Sequence, residues 1–224
     1  MPKRIESFAK ILYFVSILNI AAMSFFSRLS AEDRLSQGYM RYLAIFAILV
    51  IPTYTFLFGT KESPFYFTLS MIGNLVEYRT GFIIWGVVTG LLLTFYIYRL
   101  YVLKAFNHPK AKKLLFGSLL FLVLTVLIPA VEELPFLRKL HAVMAVLFAL
   151  SLTASLYLFI RYLAAIDQQI TLRSTWMLFS IVGISVGLFF ILGSTGIFEL
   201  FFFLSLSIFL VLLKVWLRPY QNKL

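Results

Sequence analysis

The chain has 224 residues, of which 62% are hydrophobic, 18% aromatic and only 13% charged, with a formal net charge of +11 and no cysteine. A soluble domain is about half apolar and about a quarter charged, so this composition excludes a soluble globular domain and points to an integral membrane protein. The lack of cysteine excludes disulfides, thiol chemistry and cysteine-ligated metal sites.

Taken in chain order, the first apolar run covers about 8–26 and is interrupted by Lys10 and Asn19. Its basic preface, MPKRIESFAK, suits a signal peptide or a helix that starts inside, and we read it as an uncleaved first helix. The next run is 41–59, followed by the longest connection, 60–79, which has room for only a short element. Further runs fall at 80–101, 114–131, 140–163, 175–193 and 197–217. Each approaches the roughly twenty residues needed to cross a hydrocarbon layer of about 30 Å. The expectation is a single all-α domain over 1–224, a polytopic transmembrane helical bundle of about seven spans, or six if the first segment is not a true span. GVVTG (Gly86, Gly90) and GISVG (Gly183, Gly187) have small residues at i and i+4, and both read as close helix-packing surfaces.

Lysine and arginine positions set the orientation. With seven spans, the N-terminus and the even connections carry seven basic and six acidic residues; the other side carries thirteen and three. The richer side is retained in the cytoplasm, which predicts an N-terminus outside and a cytoplasmic C-terminus in a multi-pass cell-membrane protein. On that cytoplasmic side, Lys104, Lys110, Lys112 and Lys113 are candidate contacts for anionic lipid headgroups, each worth about 1 kcal/mol near such a surface. The plainer reading is that these charges only fix topology. Nucleic acid is not an expected partner, because the basic residues are scattered over short loops with no recognition element.

Three helix mouths meet on the opposite side: NLVEYRTG, IPAVEELPFLRKLH and GSTGIFEL. They hold Asn74, Glu77, Arg79, Glu132, Glu133, His141 and Glu199, all close to apolar segments where a charge is expensive unless paired or wet. These residues are the candidate ligand-binding set, expected to converge in an outward-facing polar pocket with Arg79 and Arg138 as charge partners. Glu199 is the most exacting member, since a short Gly193–Gly196 turn precedes it and an apolar run follows it directly. It is expected to need Arg79, a bound cation, water or a proton, and to matter most for binding. The plainer readings are a Glu77–Arg79 ion pair, a solvated Glu132-Glu133 turn, an interfacial His141, and a Glu199 that fixes a helix end.

Enzyme signatures are scarce. The only histidines, His108 and His141, fall on opposite sides of the predicted membrane, which excludes a histidine-cluster metal site and a bis-histidine haem. Neither G-x-S-x-G nor H-E-x-x-H occurs. No catalytic residue, metal or cofactor is expected.

Ser70, Gly73, Asn74 and Glu77 form an S-x-x-G-N-x-x-E run ahead of an aromatic-rich helix. This run resembles the first outer loop of the DRAM/Sfk-type membrane proteins and related bacterial membrane families, although Val76 stands where that pattern has proline. LHAVMAVLFAL and STGIFELFFFLS resemble two later helices of that group, one opening on a histidine and one on a small residue and a glutamate. The resemblance covers about helices two to seven. It implies an outward polar cluster and roles in membrane organisation, lipid homeostasis and autophagy, with no established chemistry. The function expected from all this is non-enzymatic binding of membrane lipid or of another membrane protein. A small-solute or ion transporter or channel is the alternative, and a membrane-embedded lipid-modifying enzyme comes third.

Overall fold

The computed structural model describes residues 49–131 and 134–217. Among these, all regular structure is helical. In chain order the elements are α1 (Leu49–Gly59, beginning where the described residues begin), α2 (Leu69–Asn74), a 3-10 turn (Val76–Tyr78), α3 (Arg79–Leu103), α4 (Pro109–Leu127), α5 (Pro135–Leu163), α6 (Gln168–Leu192) and α7 (Gly196–Leu217).

Four of these are long and apolar enough to cross a membrane: Val76–Leu103, Pro135–Leu163, Gln168–Leu192 and Gly196–Leu217. They correspond to the runs expected at 80–101, 140–163, 175–193 and 197–217. The run expected at 8–26 lies outside the described residues, and only the second half of 41–59 lies within them. The run expected at 114–131 is shorter at its far end than its hydropathy suggests. Helix α4 is 19 residues long, but Lys110, Lys112 and Lys113 crowd its start, and it stops at Leu127 because Pro129 pushes Ile128 out of the helical region.

Local chemistry sets the other boundaries. His108 caps α4, its Nδ1 accepting from the Ala111 N–H at 3.2 Å, with Pro109 in the first helical position. Asp167 caps α6 by accepting from the Gln169 and Ile170 N–H groups at 2.7 and 3.1 Å. Gly193, at φ 73°, ends that helix in a conformation that suits a residue without a side chain.

Helices α2 to α7 pack mainly against their chain neighbours, with the most extensive interface between α4 and α5. Helix α7 closes the bundle through contacts with α3 and α5. Trp85 meets Phe203 edge-on at 5.2 Å between ring centroids, and Phe148 stacks on Phe203 at 5.9 Å. Phe58 of α1 stacks on Phe82 and Trp85 of α3, and the Trp85 indole donates to Thr55 Oγ1 at 2.9 Å. At the other end of the bundle Tyr101 Oη sits 2.8 Å from Ser155 Oγ, which donates to the Ala111 carbonyl at 2.7 Å. That chain ties α3, α4 and α5 through buried hydroxyls, each of which has a partner.

The two glycine pairs part company here. A Cβ on Gly86 would run into Val126, and one on Gly90 would come within 2.8 Å of Leu119, so GVVTG is the surface on which α4 lies against α3. A Cβ on Gly183 or Gly187 would meet nothing within 4 Å. The packing expected of GISVG is therefore not made within the described chain, and α6 is the least buried of the four long helices.

Candidate functional site

The short helix α2 organises the candidate residues, because a different one sits at each of its ends. At its N-terminus Thr68 Oγ1 accepts from the Met71 N–H at 3.0 Å, the usual side-chain cap. The Leu69 N–H would still lack a partner, and Glu199 supplies it: Oε2 accepts from Leu69 at 2.6 Å across 130 residues of sequence. The first turn of α7 is brought close enough by Gly196, whose N–H donates to the Pro64 carbonyl at 2.8 Å. A Cβ on Gly196 would come within 2.5 Å of the Phe67 carbonyl oxygen, so the contact is open only to glycine. Glu199 thus caps a second helix, on the end where the helix dipole favours an anion.

At the C-terminus of α2 the polar groups belong to Asn74 and Arg79. The Arg79 guanidinium donates to the Leu127 carbonyl at 2.8 Å, and more distantly to the Gly73 carbonyl at 3.5 Å and Asn74 Oδ1 at 3.4 Å. Asn74 Oδ1 also accepts from the Ala130 N–H at 3.2 Å. His141, from the second turn of α5, is buried, with Nδ1 3.0 Å from the Ile128 carbonyl. A carbonyl only accepts, so Nδ1 carries the proton there. Arg79 and His141 between them satisfy carbonyls left open where α4 stops, and the guanidinium puts a cation on the negative end of that helix.

The structure therefore gathers Asn74, Arg79 and His141 at one junction of α2, α3, α4 and α5, and places Glu199 at the other end of α2, about 9 Å of helix away. Two expectations about charge pairing are corrected. Arg79 is not the counter-ion of Glu199, whose bonded oxygen is occupied by a backbone amide. Nor does Arg79 pair with Glu77, which is exposed on the 3-10 turn while Arg79 turns inward to carbonyls. Glu132 and Glu133 lie outside the described residues.

Among the candidate lipid-contact lysines, Lys110 and Lys113 are exposed in the first turn of α4. Lys112 is bound to Asn107 Oδ1 at 2.9 Å and lies over the Tyr98 ring. Lys104 departs from the expectation: it is 1% exposed at the end of α3, and burial lowers its pKa from the ordinary lysine value. It is a buried end-of-helix residue, not a surface contact.

One feature of the junction has no counterpart in the sequence reading. Three buried side-chain polar atoms among the described residues have no hydrogen-bond partner: Asn74 Nδ2, Ser174 Oγ and Thr195 Oγ1. Ser174 lies on α6 and Thr195 just ahead of α7, neither at this junction. The Asn74 carboxamide cannot exchange its ends, because two donors, Arg79 Nη1 and the Ala130 N–H, already converge on Oδ1. Its Nδ2 is therefore fixed as a buried donor without an acceptor. No cluster of three or more potential metal ligands occurs among the described residues.

Comparison of the chain with protein-family models, curated proteins and solved structures finds no match.

Proposed function

We propose that this is a multi-pass cell-membrane protein that binds membrane lipid, without catalysing a reaction, at the junction of α2, α3, α4 and α5. The observation that carries the reading is Arg79. It is partly buried at the start of a membrane-length apolar helix, it rests on carbonyls and a carboxamide, and among the described residues no carboxylate pairs with it. A cation held this way in a membrane protein marks a place where something polar arrives. Kinship with the DRAM/Sfk-type group, suggested by Ser70, Gly73, Asn74 and Glu77, belongs to the same proposal. So do the seven-span topology and an outward-facing junction.

Two measurements test this reading. Native mass spectrometry of the detergent-extracted protein should find a lipid adduct that survives purification and is lost in Arg79→Gln. Solute flux in proteoliposomes with no retained lipid would replace the reading with transport. For orientation, the native chain has no cysteine, so a single Lys112→Cys should resist an impermeant maleimide in intact cells. Labelling there would turn the molecule over.

A further inference from the structure

The lipid-binding reading leaves open what chemistry the junction selects. From the Asn74–Arg79 pair, we infer that it takes a phosphate group of net negative charge, in a lipid headgroup with no balancing cation or as free phosphate, seated on Asn74 Nδ2 and the Arg79 guanidinium. This inference deepens the lipid-binding reading and rests on it.

The acceptors that face these groups are in use: the Leu127 carbonyl by Arg79, the Ile128 carbonyl by His141, and Asn74 Oδ1 by both Arg79 and Ala130. What remains is donor capacity. Asn74 Nδ2 is buried with nothing to give its protons to, and a guanidinium has more N–H groups than the bonds to Leu127, Gly73 and Asn74 use. An oxyanion accepts from both groups and brings Arg79 a charge that no carboxylate among the described residues supplies.

The carboxamide is also fixed in register. Because Oδ1 accepts from the Ala130 N–H, Nδ2 keeps its direction even when Arg79 shifts. Leaving it unsatisfied carries a desolvation cost, which an arriving acceptor recovers. Arg79 is the movable half. Its bonds to Gly73 and Asn74 are 3.5 and 3.4 Å, at the long limit of such contacts, so it can shift toward an anion while keeping the 2.8 Å bond to Leu127. His141 is a positioning residue here, since it holds the end of α4 that Arg79 leans on.

Asn74→Asp separates this site from the fold. The aspartate keeps an acceptor for Arg79 and Ala130, and adds an ion pair to Arg79. It also replaces the free donor by a second acceptor carrying negative charge. Full-length protein is delipidated in detergent and exposed to phosphatidylglycerol, phosphatidylcholine or inorganic phosphate, with adducts read by native mass spectrometry and stability by thermal melting. Wild type should retain phosphatidylglycerol about tenfold over phosphatidylcholine, equivalent to about 1.4 kcal/mol. Asn74→Asp should lose that preference at an unchanged or higher melting temperature. Lys139→Asn, which removes one charge from an exposed residue, measures the non-specific effect of net charge and should change retention less than twofold.

Competition by inorganic phosphate would identify free phosphate as the source of the anion, and its failure to compete would identify the lipid headgroup. Equal retention of both lipids, or an Asn74→Asp variant that keeps the preference, overturns the anion site while leaving lipid binding standing. Binding of phosphate with no lipid of either kind leaves the anion site and overturns lipid binding. No adduct of any kind overturns both.

Discussion

The two ends of α2 carry comparable polar equipment and use it in opposite ways. At the N-terminus a carboxylate and a hydroxyl meet two backbone amides, and nothing at Leu69 or Met71 is left over. At the C-terminus a guanidinium and a carboxamide carry more donors than the acceptors around them use, and one buried donor stays open. A completed set of hydrogen bonds holds a helix in place. A set with one buried donor held open is a demand for a partner. Burial alone does not separate these cases, since Glu199 and Asn74 are both partly buried.

The largest effect should come from disturbing both ends together. A Cβ on Gly73 would enter the Phe82 ring, pushing α2 off α3. Gly73→Ala should cost about 3 kcal/mol, near the upper range of overpacking changes, and lower both the melting temperature and lipid retention. A silent Gly73→Ala would mean that α2 is not held against α3 as described. Glu199→Leu strands the Leu69 amide and should cost about 2 kcal/mol, with lipid retention unchanged. If retention fell while the melting temperature held, Glu199 would belong to the binding site and the contrast between the ends would collapse. Thr68→Ala removes only the ordinary cap and should cost about 1 kcal/mol, again without effect on lipid. The smallest stability change, under about 0.5 kcal/mol, is expected for Asn74→Asp, where a new ion pair to Arg79 is worth no more than a typical partly exposed one. That variant sharpens the comparison most, because it should be the one that alters binding and spares the fold.

Much of this was legible beforehand, and the omissions have physical causes. Hydropathy located the helices that became α3, α5, α6 and α7, because a long apolar run has few other uses. It also placed Asn74, Arg79 and His141 at helix mouths. It could not say what Glu199 binds, since its partner is a backbone amide and every residue but proline carries one. Asn74 took part in the sequence motif as one letter among four, and the importance of its unused Nδ2 emerges only once two donors are seen on its other end. The early stop of α4 had a signal in Pro129 that hydropathy overrode. The glycine pairs mark the limit most plainly: GVVTG and GISVG have the same spacing, yet only the first has Val126 and Leu119 against it. Spacing prescribes a smooth helix face and is silent about its neighbour.

Helix α4 has a further consequence for the surrounding membrane. After its basic first turn, its apolar stretch from Leu114 to Leu127 is about 21 Å long at 1.5 Å per residue, against roughly 30 Å of hydrocarbon. Its neighbours α3 and α5, with 25 and 29 residues, have no such shortfall. In the seven-span arrangement we propose, that hydrophobic mismatch would favour local thinning of the bilayer beside α4. Such thinning would draw headgroups and water toward the helix end where Arg79 and Asn74 lie, whether or not anything is bound. Acyl-chain length then becomes a variable for this protein, with short-chain bilayers relieving the mismatch and thick ones working against it.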